Sequence, residues 1–173
     1  MERFLLAGGI INLMLTEMEI VKRLLIAAAL GAAVGFEREW SHKVAGLRTH
    51  SLTAIGAALF SLITIFLFER YPSVNGIAGL DYHLIANVVV GIGFIGAGAI
   101  LRKGSQVIGT TTAATLWLVA AVGLAVGLGF IFGALMATLI GYVVLVIFWQ
   151  FEKRLEGKSP QDKGEYSEEG SGD

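Results

Sequence analysis

The stretch from Gly104 to Phe151 decides the fold. It has 48 residues without an Asp, Glu, Lys or Arg and reads GSQVIGTTTAATLWLVAAVGLAVGLGFIFGALMATLIGYVVLVIFWQF. The hydrocarbon core of a bilayer is about 30 Å thick, and a helix needs roughly 20 apolar residues to cross it. The stretch therefore predicts two spans, separated at Gly127-Leu128-Gly129, because glycine accepts the backbone angles of a tight reversal. The first span is rich in threonine and alanine and is expected to pack inside the protein, whereas the bulkier second span is expected to face lipid.

Further apolar runs lie upstream of this stretch. Residues 49–68 and 84–101 carry no charge, and the run 20–36 has Lys22 and Arg23 near its start, where both can extend towards the membrane surface. Together with spans near 110–126 and 130–149, these runs predict an all-α, polytopic helical membrane bundle of about five transmembrane helices, formed by residues 16–151.

The composition excludes several other classes of protein. Hydrophobic residues make up 55% of the 173 residues, and only 16% are charged, against about 25% in an ordinary soluble domain. A soluble globular enzyme is therefore not expected, and no cofactor is predicted. The net charge of −1, without a basic stripe, argues against nucleic-acid binding. The chain has no cysteine, so disulfides and thiolate metal sites are excluded.

The two ends of the chain differ from the apolar middle. Residues 1–15 are predicted to be an interfacial segment, or to precede an alternative start at Met14. Thr16 and Glu19 form a capping-box pattern that predicts a helix start there. Residues 152–173 hold 11 of the 27 charged residues and are expected to be a disordered cytoplasmic tail.

Basic residues are distributed unequally between the two sides that five spans would create. The N-terminal side holds 4 of them and the opposite side 9. The positive-inside rule then places the N-terminus outside and the C-terminus in the cytoplasm.

The third predicted span is unusually rich in glycine, with Gly91, Gly93, Gly96 and Gly98. The spacing matches a dinucleotide-binding fingerprint, but the strand, helix and acidic residue that this site requires are missing. Two interpretations remain open. The glycines can admit close neighbours on both faces of a central helix, or the helix is broken there and exposes carbonyl groups to a substrate path.

Two groups of polar residues are candidates for function. On the outer side, Asp81, His83 and Asn87 would form a polar mouth, with oxygen ligands that suit Mg²⁺. The alternative is that Asp81 caps the helix, His83 lies at the interface and Asn87 bonds to a neighbouring helix. The three histidines of the chain have no metal-binding spacing, and no metal ligand is assigned.

On the cytoplasmic side, five charged residues are crowded between Glu37 and Arg48. An ion-pair lattice is predicted there, with Arg48 paired to Glu37 or Glu39. The alternative is a solvated loop that obeys the positive-inside rule. The candidate residues of this functional charged loop are Glu37, Arg38, Glu39, Arg48, Thr49 and His50.

Four stretches together resemble the N-terminal membrane domain of the MgtC/SapB family. They occur in order and at similar spacing: Gly35-Phe36-Glu37-Arg38-Glu39, Ala45-Gly46-Leu47-Arg48-Thr49-His50, Gly91 to Gly98, and Thr111-Thr112-Ala113-Ala114-x-Leu116-Trp117. The resemblance runs from about Met14 to Phe151. The chain departs from the family pattern before the third span, where Asp81-Tyr82-His83 lacks the usual proline and arginine. It also ends in a short tail, so a short member without the soluble C-terminal domain is expected.

The resemblance implies a protein of a prokaryotic plasma membrane that is linked to magnesium homeostasis and to growth at low Mg²⁺. It leaves open whether such a protein transports the ion itself. Our first hypothesis is a regulator, and no enzyme is predicted, because no nucleophile with a neighbouring base is visible. A small transporter or channel for Mg²⁺ or another cation is the alternative. The implied partners are the lipid bilayer, another membrane complex or a second copy of the chain, and Mg²⁺ itself. Asn87 falls where the family commonly has a polar amide, whereas the departure from the family pattern at Asp81 counts against a site there. Asp81 and Asn87, taken from the polar mouth, are the candidates for a cation path.

Overall fold

A computed structural model describes residues 15–70, 73–74, 77–78, 83–103 and 106–156. These ranges contain five helices and two short antiparallel hairpins: α1 Glu17–Trp40, α2 Leu47–Arg70, β1 Ser73–Val74, β2 Ile77–Ala78, α3 His83–Gly98, β3 Leu101–Lys103, β4 Gln106–Ile108, α4 Thr110–Gly127 and α5 Ile131–Glu156. The predicted all-α helical bundle is confirmed. Nearly all of the predicted interfacial segment 1–15, and the predicted tail beyond Glu156, lie outside the described residues.

The chain divides into two units, Met1–Tyr142 and Val143–Asp173. The first unit contains α1 to α4 and the N-terminal part of α5. The second contains the C-terminal part of α5, which stays helical to Glu156.

By length and composition, three helices are suited to crossing a membrane: Leu47–Arg70, Thr110–Gly127 and Ile131–Phe151. Helix α3 is apolar but has only 16 residues. Helix α1 is 24 residues long and carries charged residues at both ends. Helix α3 is shorter than the other three helices, and α1 carries seven charged residues, against three in α2.

The start of α1 confirms the predicted cap and corrects a second prediction. The Thr16 hydroxyl accepts a hydrogen bond from the Glu19 amide at 3.2 Å. Lys22 is exposed, but Arg23 does not extend to the surface and is only 2% exposed. Its guanidinium donates to Glu19 at 3.1 Å and to the Gly127 carbonyl oxygen at 2.8 Å. A cation is favourable at the C-terminal end of a helix, so Arg23 caps α4 from a neighbouring helix.

Helix α4, and not the glycine-rich α3, is the central helix of the first unit. More than half of α4 is buried, as predicted for a span that packs inside. It packs against α1, α2 and α3. Its Gly123 and Gly127 lie directly against the α2 backbone at Ala54 and Ala58. The absence of side chains at these two positions lets the helix axes approach closely.

Small residues also allow α1 to approach α2. A Cβ atom added to Gly31 would lie 2.7 Å from the His50 carbonyl oxygen, and one added to Gly35 would lie 2.7 Å from Leu47 Cα. Ala27 on the same ridge is fully buried. Ala27, Gly31 and Gly35 therefore form a ridge of small residues, at four-residue spacing, that faces α2.

The turn between the last two helices also matches the prediction. Gly129 has a φ of +87°, a backbone angle that residues other than glycine rarely adopt. Helix α4 ends at Gly127 and α5 begins at Ile131. In the part of α5 that belongs to the first unit, Phe132 and Leu139 are 71% and 55% exposed.

Helix α3 differs from its prediction in extent and in position. It is continuous from His83 to Gly98, so the interpretation as a helix broken at its glycines is wrong. It stops short of residue 101 because Leu101–Lys103 pairs with Gln106–Ile108 in a hairpin. Its buried residues are Ile92 and Gly96, which places α3 at the side of the bundle.

Candidate functional site

The end of α1 and the start of α2 bring together a buried polar cluster. We call it the loop cluster and define it by Glu37, Arg38, Ser41, His50 and Thr115. Glu37 and Arg38 are 8% and 2% exposed, and His50 is fully buried. Polar groups are costly to bury without partners, so their hydrogen bonds explain how the fold tolerates them.

Glu37 is held from two sides. One carboxylate oxygen of Glu37, Oε2, accepts a hydrogen bond from Arg38 Nε. The other, Oε1, accepts one from the Ser41 hydroxyl at 2.8 Å. Glu37 follows the predicted span 20–36. Burial by itself raises the pKa of Glu37, but the hydrogen bonds from Arg38 and Ser41, with the positive charges of Arg38 and Lys43, hold that pKa below its ordinary value.

Glu39 caps the next helix, and this contradicts the predicted ion pair. One oxygen of Glu39 accepts a hydrogen bond from the Leu47 amide at 2.8 Å, at the start of α2. Gly46 permits this approach, because a Cβ atom there would lie 2.5 Å from Glu39 Oε2. Arg48 pairs with neither acid. Glu37 is bound by Arg38 and Ser41, and Glu39 accepts the hydrogen bond of the Leu47 amide at the start of α2.

His50 joins α2 to α4 through the interior of the bundle. Its Nδ1 lies 2.8 Å from the Gly46 carbonyl oxygen and its Nε2 lies 2.9 Å from the Thr115 hydroxyl. That hydroxyl is also 2.8 Å from the Thr112 carbonyl oxygen. A carbonyl oxygen only accepts, so Nδ1 must carry a proton. In neutral His50, Thr115 therefore donates to Nε2, and in the imidazolium form Thr115 accepts from Nε2–H and donates to Thr112.

Sequence reasoning placed His50 in the charged loop but missed its contact with Thr115. The available signal was the stripe formed by Thr111 and Thr115 on one face of the fourth span. Nothing in that pattern says that one hydroxyl would meet a histidine 65 positions away in the chain.

We expect Thr115→Val to lower the free energy of unfolding, because Nε2 of a fully buried His50 would lose its hydrogen-bond partner. Leaving one buried polar group unsatisfied costs about 1–3 kcal/mol. Denaturant unfolding of the purified protein in detergent measures the change. Thr115→Ser keeps the hydroxyl and is the matched control. Equal destabilisation by both variants would show that packing, and not the hydrogen bond, determines the cost.

The outer surface of the charged loop is basic and open. Arg48 and Thr49 are exposed, as are His42 and Lys43. These side chains line a cavity of about 590 Å³, together with Glu39 and two small or apolar neighbours. The structure thus separates the predicted functional loop into a buried half, formed by Glu37, Arg38 and His50, and an exposed basic half.

The predicted polar mouth is only partly within the described residues, since Asp81 lies outside them. Asn87 is exposed on α3 and lines a groove of about 610 Å³ between α2 and α3. Thr53 is the other hydrogen-bonding side chain of this groove, and its remaining lining is apolar or glycine. In the described part of the chain no residue is hydrogen-bonded to the Asn87 side chain.

The four glycines of α3 have different surroundings. A Cβ atom at Gly96 would lie 3.5 Å from Ala113 Cβ on α4, so Gly96 packs between helices. Gly91, Gly93 and Gly98 have no neighbour within 4 Å of such an atom in the structure. Among the described residues, Gly96 has such a close neighbour, and close packing at the other three glycines stays a prediction.

Metal-binding side chains are not grouped in the described ranges. There, no three or more of the His, Asp and Glu side chains lie close enough to hold a metal ion together.

Comparisons with known proteins place the chain in a family. Residues 24–154 match the family model described as MgtC family. The chain is 39% identical over 142 residues to the "Putative magnesium transporter YhiD" of Escherichia coli strain K12, covering 82% of this chain and 66% of that protein. It is 39% identical over 145 residues to "Protein MgtC" of Salmonella typhimurium strain LT2, covering 84% of this chain and 59% of that protein.

The chain therefore spans between 59% and 66% of the length of these two relatives. No solved structure matches it. The apolar helices and the relatives identify a membrane protein of bacteria. The family model covers most of the chain, from within α1 to within the last turn of α5, and the chain belongs to the MgtC family.

Proposed function

We propose that this protein is a regulator of magnesium homeostasis in the bacterial plasma membrane, with its N-terminus outside and its C-terminus in the cytoplasm. The names of the relatives support the link to magnesium, since one is called MgtC and another a putative magnesium transporter. In this role the protein acts through contacts with another membrane complex, without chemistry of its own.

The observation that supports the regulatory role is that the buried polar side chains of the bundle are hydrogen-bonded within the protein. The Ser61 hydroxyl donates to the Leu124 carbonyl oxygen at 3.0 Å, and the Thr64 hydroxyl donates to Phe60 at 2.9 Å. Both ring nitrogens of His50 are also engaged. In the described part of the chain, every buried side-chain nitrogen and oxygen has a hydrogen-bond partner. Groups committed in this way favour a tightly packed bundle over a hydrated ion path between the helices.

Asn87 provides the contact surface in this proposal. An exposed amide at membrane depth is costly unless it finds a hydrogen-bond partner. The groove between α2 and α3 surrounds Asn87 with apolar side chains, and Gly56 and Gly91 in its walls have open space beside them. A helix of another membrane protein can approach closely at such residues and bond to the amide.

The alternative is a transporter or channel for Mg²⁺ or another cation. The same groove favours it, because Asn87 and Thr53 supply oxygen atoms on an open surface. Copies of the chain that assemble with these grooves facing each other would enclose a path that one chain cannot enclose.

Reconstitution of the purified full chain separates the two roles. In the regulatory role, liposomes loaded with a Mg²⁺-sensitive dye show no flux above empty liposomes, and a membrane complex co-purifies with the protein from cells grown at low Mg²⁺. We expect Asn87→Leu to abolish that co-purification. Val90→Leu is the control, because Val90 is 75% exposed on the same helix and the change exchanges one apolar side chain for another. If the wild type and Val90→Leu carried a Mg²⁺ flux that Asn87→Leu lacked, transport would be the role of the protein and the regulatory proposal would be wrong.

A further inference from the structure

We propose that the loop between α1 and α2 binds the phosphate of an anionic phospholipid headgroup in the cytoplasmic leaflet. The site is the exposed basic surface described above, which we call the basic face and define by His42, Lys43, Arg48 and Thr49. The inference rests on the proposed cytoplasmic position of this loop. It does not depend on whether the protein regulates or transports.

The cations of the basic face have no ion-pair partner among the described residues. The two ion pairs among the described residues are Glu19 with Arg23 and Glu37 with Arg38, and neither contains Lys43 or Arg48. Glu39 is the acidic side chain on the cavity wall, and one of its oxygens is held by the Leu47 amide. Among the described residues, two cations thus face one partly engaged carboxylate on the cavity wall. Lys43 also lies near the charge of Glu37, but that carboxylate is already bound by Arg38 and Ser41. The excess positive charge of the basic face attracts a negatively charged group.

Hydrogen bonds order the loop backbone at His42 and Lys43. His42 has a φ of 52°, in the left-handed backbone region that residues other than glycine rarely adopt. Its amide donates to the Glu39 carbonyl oxygen at 3.0 Å, and the Lys43 amide donates to the Arg38 carbonyl oxygen at 2.9 Å. The loop is therefore anchored to the end of α1, which reduces the entropy lost when a ligand binds.

Apolar groups beside the basic face indicate a lipid and not a soluble phosphate. Trp40 is 76% exposed and Val44 is 66% exposed. The Trp40 ring lies 6.3 Å from that of Phe36, centroid to centroid. Tryptophan is enriched at the level of the lipid headgroups, where one part of the ring is apolar and another is wet. A phospholipid presents the same combination, with a charged phosphate above an acyl chain, and basic pockets on the cytoplasmic side of membrane helices suit such headgroups.

Quenching of Trp40 fluorescence by brominated lipids tests the proposal. The full chain carries Trp117→Phe and Trp149→Phe, so that Trp40 is its sole tryptophan. It is reconstituted in phosphatidylcholine vesicles that contain brominated phosphatidylglycerol or, at the same fraction, brominated phosphatidylcholine. We expect stronger quenching by the brominated phosphatidylglycerol. A Lys43→Gln and Arg48→Gln double variant should lose this preference. Each cation removed should lower the affinity for phosphatidylglycerol, relative to phosphatidylcholine, by about five-fold.

Arg154→Gln is the matched control, since Arg154 is exposed and lies on the proposed cytoplasmic side. It should keep the preference, and circular dichroism of each variant verifies the helix content. Equal quenching by the two lipids, or a loss of preference in Arg154→Gln as well, would overturn the site. Dissolved glycerol phosphate at low millimolar concentration should leave the preference intact. If it abolished the preference, the ligand of the basic face would be a soluble phosphate, and the assignment of a lipid headgroup would be overturned. Failure of the magnesium experiments would leave this result unchanged.

Discussion

Gly123→Ala is expected to separate α4 from α2 and to lower the melting temperature of the protein in detergent more than any exposed substitution. A Cβ atom at Gly123 would lie 2.2 Å from the Ala54 carbonyl oxygen. Backbone atoms cannot rotate away as the end of a flexible side chain can, so the helices themselves must move. Overpacking of this kind costs about 1–3 kcal/mol and sometimes more. Gly127→Ala should behave in the same way, because its Cβ would lie 2.4 Å from the Ala58 carbonyl oxygen.

Gly56→Ala and Gly93→Ala are the matched controls for this prediction. Both glycines are helical, and no atom lies within 4 Å of an added Cβ. Alanine is favoured over glycine in a helix by up to about 1 kcal/mol, so these variants should be neutral or slightly stabilised. Melting temperatures followed by circular dichroism give the comparison. If all four variants melted alike, close contact between α2 and α4 could not be the reason for the glycines.

Glu37→Ala is expected to have the largest effect in the loop cluster. It would leave the Arg38 guanidinium, which is 2% exposed, without its carboxylate partner. Removing one member of a buried ion pair costs about 3–5 kcal/mol, because the other charge stays buried and uncompensated. Replacing both members, as Glu37→Leu with Arg38→Met, should recover part of that loss. Denaturant unfolding in detergent measures each variant. A double variant less stable than Glu37→Ala would contradict this account.

The effect of Glu37 also depends on pH in a defined direction. The pKa of Glu37 is held below its ordinary value in the folded protein. Its carboxylate therefore stabilises the fold at pH values above the ordinary pKa of a glutamate, and this contribution is lost as the pH falls through the depressed pKa. The difference in unfolding free energy between wild type and Glu37→Gln should shrink over the same acid range. Glu39→Gln is the control, because Glu39 is exposed and serves as a helix cap.

The features predicted correctly from the sequence depend on residues close together in the chain. The uncharged stretch from Gly104 to Phe151 predicted two helices with a turn at Gly127-Leu128-Gly129, and both helices and the turn are present. The cap at Thr16 follows from a spacing of three residues at a helix start. Apolar runs and local spacing determine such features, because backbone geometry alone brings these residues together.

The candidate site depended on contacts that no local pattern encodes. The pairing of Glu37 with Arg38 left Arg48 free of both acids, although proximity in sequence suggested an Arg48 pair. The place of α3 was misjudged for the same reason, since glycine content shows that a helix can be approached closely but not whether a neighbour is present. In the part of the chain that the structure describes, Gly96 alone of its four glycines has such a neighbour.

The sequence by itself determined that this protein is a helical membrane bundle, where its helices begin, and which family it resembles. Only the tertiary structure decided that Arg23 caps α4 across a distance of 104 positions and that His50 meets Thr115. The physical reason is that hydrophobicity sets the membrane helices one at a time, whereas buried charges and hydroxyls are satisfied by whichever groups helix packing brings within hydrogen-bond distance.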